Sequence, residues 1–191
     1  MPSLPADILQ RRSLAKGWSS LTRVVMRMPD GAEVERHIED HGSAVGVLPY
    51  DPKARRLMFV RQPRAPVCDA GEPDILEIAA GQLIGEDPLA CARREALEEL
   101  GLALTIFEPV AVCWSMPGVS TERLHLFLAP YSPPDRIADG GGAPGEHENI
   151  HVIELEADEV WAAAEIGAIS DMKTLLAIYA LKVRRPELFS T

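Results

Sequence analysis

Gly81-Gln82-Leu83-Ile84-Gly85-Glu86-Asp87-Pro88-Leu89-Ala90-Cys91-Ala92-Arg93-Arg94-Glu95-Ala96-Leu97-Glu98-Glu99-Leu100-Gly101-Leu102 is a glycine bend running into a charged segment. Asp87-Pro88 joins an N-cap residue to a proline at the first helical position, and Gly101 supplies a C-terminal stop, so the spacing predicts a helix over 88–100. Glu95 and Glu99 then lie one turn apart on one face, with Glu98 beside them. Like charges so placed repel by roughly 0.2–0.5 kcal/mol per pair, so helix stability does not account for them.

The surrounding chain has 191 residues, enough for one domain with its own hydrophobic core. Apolar residues make up 47% and charged residues 25%, which excludes the disordered and fibrous classes. A formal net charge of −10 speaks against a nucleic-acid or anionic-membrane binder, because both need a basic footprint. An acidic protein binds phosphates when divalent cations bridge its carboxylates to them, and Glu95, Glu98 and Glu99 are placed for that. Cys68, Cys91 and Cys113 lack C-x-x-C spacing and read as buried or half-buried thiols rather than a disulfide or zinc framework. No signal-peptide pattern is visible and no apolar run approaches the ~20 residues of a membrane span, so a cytoplasmic protein without a membrane partner is expected.

Taken in order, residues 1–17 are polar without a clear period and read either as a mobile arm or as a strap on a partner subunit. Leu21–Met28 and Glu33–Ile38 alternate on either side of Pro29-Asp30-Gly31, a hairpin signal. Ser43–Tyr50 and Arg56–Arg61 are short apolar runs joined by Asp51-Pro52-Lys53, and Ile75–Ala80 is expected as a strand after a loop at 65–74. Further strands are expected at Leu104–Trp114, Arg123–Tyr131 and Ile150–Leu155, and helices at Ala157–Ile166 and Asp171–Val183. The last helix shows an apolar stripe at Met172, Leu175, Leu176, Tyr179 and Val183. Residues 132–149 are too rich in proline and glycine for regular structure, and a loop this long in a domain is usually functional or mobile. The sum is an α/β (α+β) domain of mostly antiparallel strands with helices, not a βαβα series.

Gly81, Glu86, Arg94-Glu95, Glu98-Glu99 and Gly101-Leu102 resemble the signature of the Nudix hydrolases, Gly-x5-Glu-x7-Arg-Glu-U-x-Glu-Glu-x-Gly-U with U aliphatic. Two departures stand out: four residues, not five, separate Gly81 from Glu86, and Ala96 is a small U residue. The helical half is intact, so the metal reading rests on Glu95 and Glu99. Arg61-Gln62-Pro63-Arg64, Ala79-Ala80-Gly81, the run from Ser115 to Glu122, Gly140-Gly141-Gly142, the run from Glu146 to Ile150 and Asp171-Met172-Lys173-Thr174 are similar to the branch that cleaves ADP-ribose and related nucleoside diphosphate sugars, most closely to its bacterial members acting on GDP-mannose.

That resemblance implies a Nudix fold, a mixed sheet sandwiched by helices, with residues 1–42 as an N-terminal arm and hairpin exchanged across a homodimer and 43–191 as the hydrolase domain. It implies a Mg²⁺ cofactor, with Mn²⁺ able to substitute, held by Glu95, Glu99, Glu148 and the backbone carbonyl of Ala80. Glu95, Glu99 and Glu148 are the expected catalytic residues, with Glu148 as metal ligand, base or both and Glu146 in reserve. Arg64 and Lys173 are expected on the substrate phosphates, Glu122 on nucleotide or sugar, Gln82 on the substrate, and Arg36 arriving from the partner subunit. Arg94 is expected to orient the glutamates by bridging them. The implied partner is a nucleotide sugar; a catalytically silent domain that senses sugar nucleotides is the alternative. Independently of the family, Mg²⁺ demands hard oxygen ligands and keeps several waters, which suits a pair of carboxylates at i and i+4 plus substrate phosphates.

Overall fold

The computed structural model describes residues 5–143, 145 and 147–190; Glu146 lies outside them. The chain forms two compact units, one of residues up to 43 with 113–123 and one of residues 44–112 with 124 onward.

The first unit is built on a three-stranded antiparallel sheet of β1 (Asp7–Lys16), β2 (Ser20–Arg27) and β3 (Glu33–Asp40), in that order. The expected hairpin is present as β2 and β3, with Met26↔Val34 and Arg23↔His37 among its pairs. Within residues 1–17, where the sequence shows no clear period, Asp7–Lys16 forms a strand. This strand lacks alternation because all but one of its residues are exposed, so no buried face imposes a period of two.

The second unit holds, apart from end residues Ser43, Cys113, Trp114 and Arg123, the elements β4 (Ser43–Asp51), β5 (Arg56–Arg61), α1 (Ala65–Asp69), β6 (Ala79–Leu83), α2 (Pro88–Leu100), β7 (Glu108–Trp114), β8 (Arg123–Pro130), β9 (His151–Glu156), α3 (Ala157–Glu165) and α4 (Met172–Arg184). Its mixed sheet runs β7-β8-β4-β5-β9, with β6 also on β4. β4 pairs parallel to β8 from Ala44↔Leu124 to Tyr50↔Pro130, and β5 pairs antiparallel to β9. β4 and β5 meet at Tyr50↔Leu57 and Asp51↔Arg56, while further along β5 Val60 bridges Glu77 instead. The chain from Glu77 to Leu83 thus enters where β4 and β5 part, and carries the glycine bend to the foot of α2. Here the expected strand Ile75–Ala80 is displaced to Ala79–Leu83, and five residues of the expected loop form α1.

α2 begins as its sequence demands: the Asp87 carboxylate accepts from the backbone N–H groups of Leu89 and Ala90 at 3.0 and 3.2 Å. Gly101 ends it at φ 71°, its N–H donating to the carbonyl of Leu97 and that of Leu102 to Ala96. The small residues Ala92 and Ala96 let α2 lie close on a core of Val47, Met58, Val60, Ala79, Leu100 and Leu102. In α4 the periodicity names the wrong face: Thr174, Ala177, Ile178 and Leu181 are buried, whereas Met172, Leu176, Tyr179 and Val183 are exposed. Cys91 is buried and Cys113 half-buried, but Cys68 is exposed.

Candidate active site

The buried face of α2 carries two carboxylates. Glu95 is 7% exposed and Glu99 2%, one helical turn apart. The Ala80 N–H on β6 donates to Oε2 of Glu99 at 3.0 Å, which fixes one carboxylate against the bend. At Gly81 a Cβ would stand 1.7 Å from Oε1 of Glu95, so only glycine leaves room for that carboxylate beneath the strand. Burial raises the pKa of Glu95 to about 7, partly offset by Arg94 and reinforced by Glu98 and Glu148. Burial likewise raises Glu99 to about 8, against the Ala80 N–H and with repulsion from Glu95 and Glu148. Two carboxylates held in a dry, mutually repelling pair are a site short of positive charge.

Arg94 sits among the glutamates. Its guanidinium meets Glu86 at 2.9 Å, Glu95 at 2.8 Å and Glu98 at 2.7 Å. Its charged form is favoured because these hydrogen bonds outweigh its burial. Glu86 is engaged with Arg94 rather than with Glu95 or Glu99. The Cys91 thiol is pushed up to about 12 by burial and by Glu86 and Glu95, so it stays protonated.

The long loop is fastened to the C-terminal end of α2. The N–H groups of Gly141 and Gly142 donate to the carbonyls of Glu99 and Glu98, each at 2.9 Å, and that of Ile137 to Gly101 at 2.9 Å. Gly140 and Gly142 have φ of 77° and 95°, and a Cβ at Gly140 would fall 2.4 Å from the Glu99 carbonyl oxygen. The glycine run therefore caps the helix that bears the carboxylates, and Glu148 follows it, with Oε2 2.8 Å from where a Cβ on Gly142 would lie. Glu148 is close enough to raise the pKa of both Glu95 and Glu99.

Arg64 and Lys173 converge on a residue the sequence reading passes over. Glu77, 3% exposed, accepts from Arg64 Nε and Nη2 at 2.8 and 3.1 Å and also from the Lys173 ammonium. Lys173 reaches Asp171 at 3.1 Å as well, while Asp171 caps α4 through Thr174, whose hydroxyl in turn accepts from the N–H of Ile78 at 2.8 Å. One buried carboxylate thus sets two cations side by side, and the Arg64 guanidinium feels the charges of Glu99 and Glu148. The structure brings together Ala80, Glu95, Glu99, Glu148, Arg64 and, through Glu77, Lys173. Gln82 follows Gly81 on β6, its carbonyl accepting from the Cys91 thiol at 3.5 Å. Glu122 and Arg36 belong to the first unit, where Glu122 meets His41 and Arg36 donates to the carbonyl of Glu35 at 2.8 Å.

The NUDIX domain family model matches residues 40–171, more than half of the chain. The chain belongs to the Nudix family. It is 33% identical over 189 residues to a GDP-mannose pyrophosphatase of Cronobacter sakazakii, covering 95% of this chain and 97% of that one. With the GDP-mannose pyrophosphatase of Pectobacterium atrosepticum it shares 34% over 188 residues, 95% and 96% of the two chains. The crystal structure of an ADP compounds hydrolase superposes with a TM-score of 0.78 over 98% of each chain at 16% identity, which establishes the fold. Among the described residues no helix is long and apolar enough to cross a membrane.

Nudix hydrolases use a divalent metal, and the donor set fits one. Among the described residues no three His, Cys, Asp or Glu side chains form a ready-made cage. Mg²⁺ does not require one: it keeps waters and takes one or two carboxylates plus substrate phosphates. Glu95 and Glu99 offer hard oxygens in adjacent turns, and the space that a Cβ at Gly81 would fill is left to the Glu95 carboxylate. A cavity of about 710 Å³ elsewhere in the second unit, lined by Val67, Ile75, Leu76, Val160 and Ile169 among others, includes none of these groups.

Proposed function

We propose that this Nudix domain hydrolyses the pyrophosphate bond of a nucleoside diphosphate sugar, of the GDP-mannose or ADP-ribose type, in a Mg²⁺-dependent reaction. The products are a nucleoside monophosphate and a sugar 1-phosphate, or ribose 5-phosphate from ADP-ribose. The observation that carries the reading is the buried pair Glu95 and Glu99 beneath Gly81, close to Glu148 and to the cations that Glu77 gathers. The names of the curated relatives support the substrate class.

Glu95, Glu99, Glu148 and the carbonyl of Ala80 would hold the metal. Once bound, it neutralises pyrophosphate charge, polarises the phosphorus and makes a water more acidic. Arg64 and Lys173 bind phosphate oxygens, and Glu77 keeps them together while leaving part of the guanidinium for the substrate. Glu148 accepts the proton of the attacking water as its oxygen bonds to one phosphorus. The bridging P–O bond breaks, and the other phosphate departs with the electron pair. Arg94 keeps Glu95 and Glu98 in place rather than touching substrate. Gln82 and Glu122 contact the nucleotide or sugar.

We further infer that residues 1–42 are exchanged across a homodimer, bringing Arg36 to the partner's substrate. Sedimentation equilibrium tests this: a dimer is expected, and a monomer at assay concentration contradicts it. For the activity, GDP-mannose, ADP-ribose and other sugar nucleotides are incubated with and without Mg²⁺, and phosphate released after phosphatase coupling is measured. Mg²⁺-dependent turnover of at least one is expected; tight binding without hydrolysis would instead indicate a silent sensing domain.

A further inference from the structure

One cluster in the first unit surrounds Glu122 with residues that have no part in the chemistry described above. His41 follows β3, and its ring lies between two carboxylates. Nδ1 stands 2.8 and 2.9 Å from the two oxygens of Glu39, and Nε2 stands 3.2 Å from Oε1 of Glu122. Trp18 stacks on the ring with centroids 5.0 Å apart and planes 15° from parallel. Ser120 closes the network: its hydroxyl donates to Glu39 at 2.9 Å and accepts the N–H of Glu122 at 3.2 Å. Backbone bonds from Glu39 to the carbonyl of Val119 and from Thr121 to that of Glu39, at 2.8 and 3.0 Å, fasten the segment before Glu122 along β3. His41 and Glu122 are thus joined across 81 positions of sequence.

Ionised carboxylates only accept hydrogen bonds, whereas a neutral imidazole has one N–H and one lone pair. With a carboxylate at each ring nitrogen, only the doubly protonated ring donates to both. We propose that His41 is a positioning residue, an imidazolium clamp that sets the Glu122 carboxylate in the orientation from which it meets the substrate. This rests on the reading of Glu122 as a substrate contact. Among the described residues, the charged groups facing the ring include Glu39 and Asp40 from β3 and Glu122 from the segment before β8, with Trp18 covering one face.

The titration runs in the same direction. Burial opposes the charge on His41, but its hydrogen bonds to Glu39 and Glu122 outweigh it and raise the pKa above 6.5. The clamp is therefore complete below 6.5 and is lost as pH rises through that raised value. Above it one ring nitrogen no longer donates to the carboxylate it faces.

Two readouts test the proposal in the full-length protein. In ¹⁵N–¹H spectra of the histidine rings across pH 6–9, both His41 nitrogens are expected to be protonated at the acidic end, as the ordinary imidazole pKa of about 6.5 is raised. Glu122→Gln should lower the His41 pKa. Steady-state kinetics on the sugar nucleotide that the wild type cleaves should show His41→Gln raising KM about tenfold, the worth of one hydrogen bond to a charged group, with kcat nearly unchanged. The same variant should flatten the pH dependence of kcat/KM. A merely structural role would lower Tm and leave the KM-against-kcat split and the pH profile unmoved. A His41 ring with a single proton at pH 6 overturns the proposal, as does an unchanged KM in His41→Gln where Glu122→Gln raises it. An unchanged KM in Glu122→Gln overturns the clamp's purpose while leaving the hydrolase reading standing. Absence of hydrolysis by the wild type overturns that reading instead, and the ring titration still decides the clamp.

Discussion

Glu95 and Glu99 were legible because their oddity is local: like charges at i and i+4 in a well-capped helix cost stability and ask for a cation. Glu77 was not. It is a lone carboxylate in the apolar run Ile75-Leu76-Glu77-Ile78, and its partners lie 13 and 96 positions away, so only tertiary contact discloses it. The available signal was that a charged residue interrupts an apolar segment, since burying it unpaired would be prohibitive. Glu77→Gln leaves Arg64 and Lys173 without their shared counter-charge. We expect a loss of about 3 kcal/mol of stability in urea denaturation together with a raised KM. Wild-type stability and KM would show that Glu77 does not organise the cations. His41 gave no comparable signal, because nothing near it in sequence marks Glu122 as its neighbour.

At the scale of elements, the hairpin of β2 and β3, the strand pair at 43–61, α2, α3 and α4 all stand near their expected bounds, because caps, turn residues and alternation mark them. The misses each have a local cause. β1 buries too little to show a period, β6 is displaced because small residues fit both strand and bend, and α4 is apolar on two faces so that periodicity cannot choose between them. Gly140-Gly141-Gly142 was legible only as a loop; its work is to cover the carbonyls at the end of α2. Gly101 takes part in that junction, since a Cβ there would fall 2.0 Å from the carbonyl oxygen of Ala138. Gly101→Ala should cost about 2 kcal/mol or more, from the left-handed backbone and the clash together, read from the urea midpoint. A neutral result would mean that the loop does not pack on α2 as described.

For the whole molecule, a formal charge of −10 is joined by a site that concentrates more negative charge, so a cation bound there as proposed would add stability as well as chemistry. Glu95 and Glu99 are raised from 4.5 to about 7 and about 8, so the folded state binds protons more tightly than the unfolded one. Their contribution is therefore full below 4.5 and is lost as pH rises to about 8. In EDTA the Tm should fall across that window, and Mg²⁺ should restore more of it at pH 8 than at pH 5, because protons compete with the metal. A Mg²⁺ effect independent of pH would contradict this. The most direct test of the metal site is the Mg²⁺-dependent turnover of GDP-mannose and ADP-ribose by the wild type and Glu99→Gln, both checked for folding. We expect Glu99→Gln to remain folded and to lose about a hundredfold or more in kcat, as removal of several kcal/mol of charge stabilisation requires. Turnover near the wild-type rate in that variant would contradict the assignment of Glu95 and Glu99 as the centre of the site.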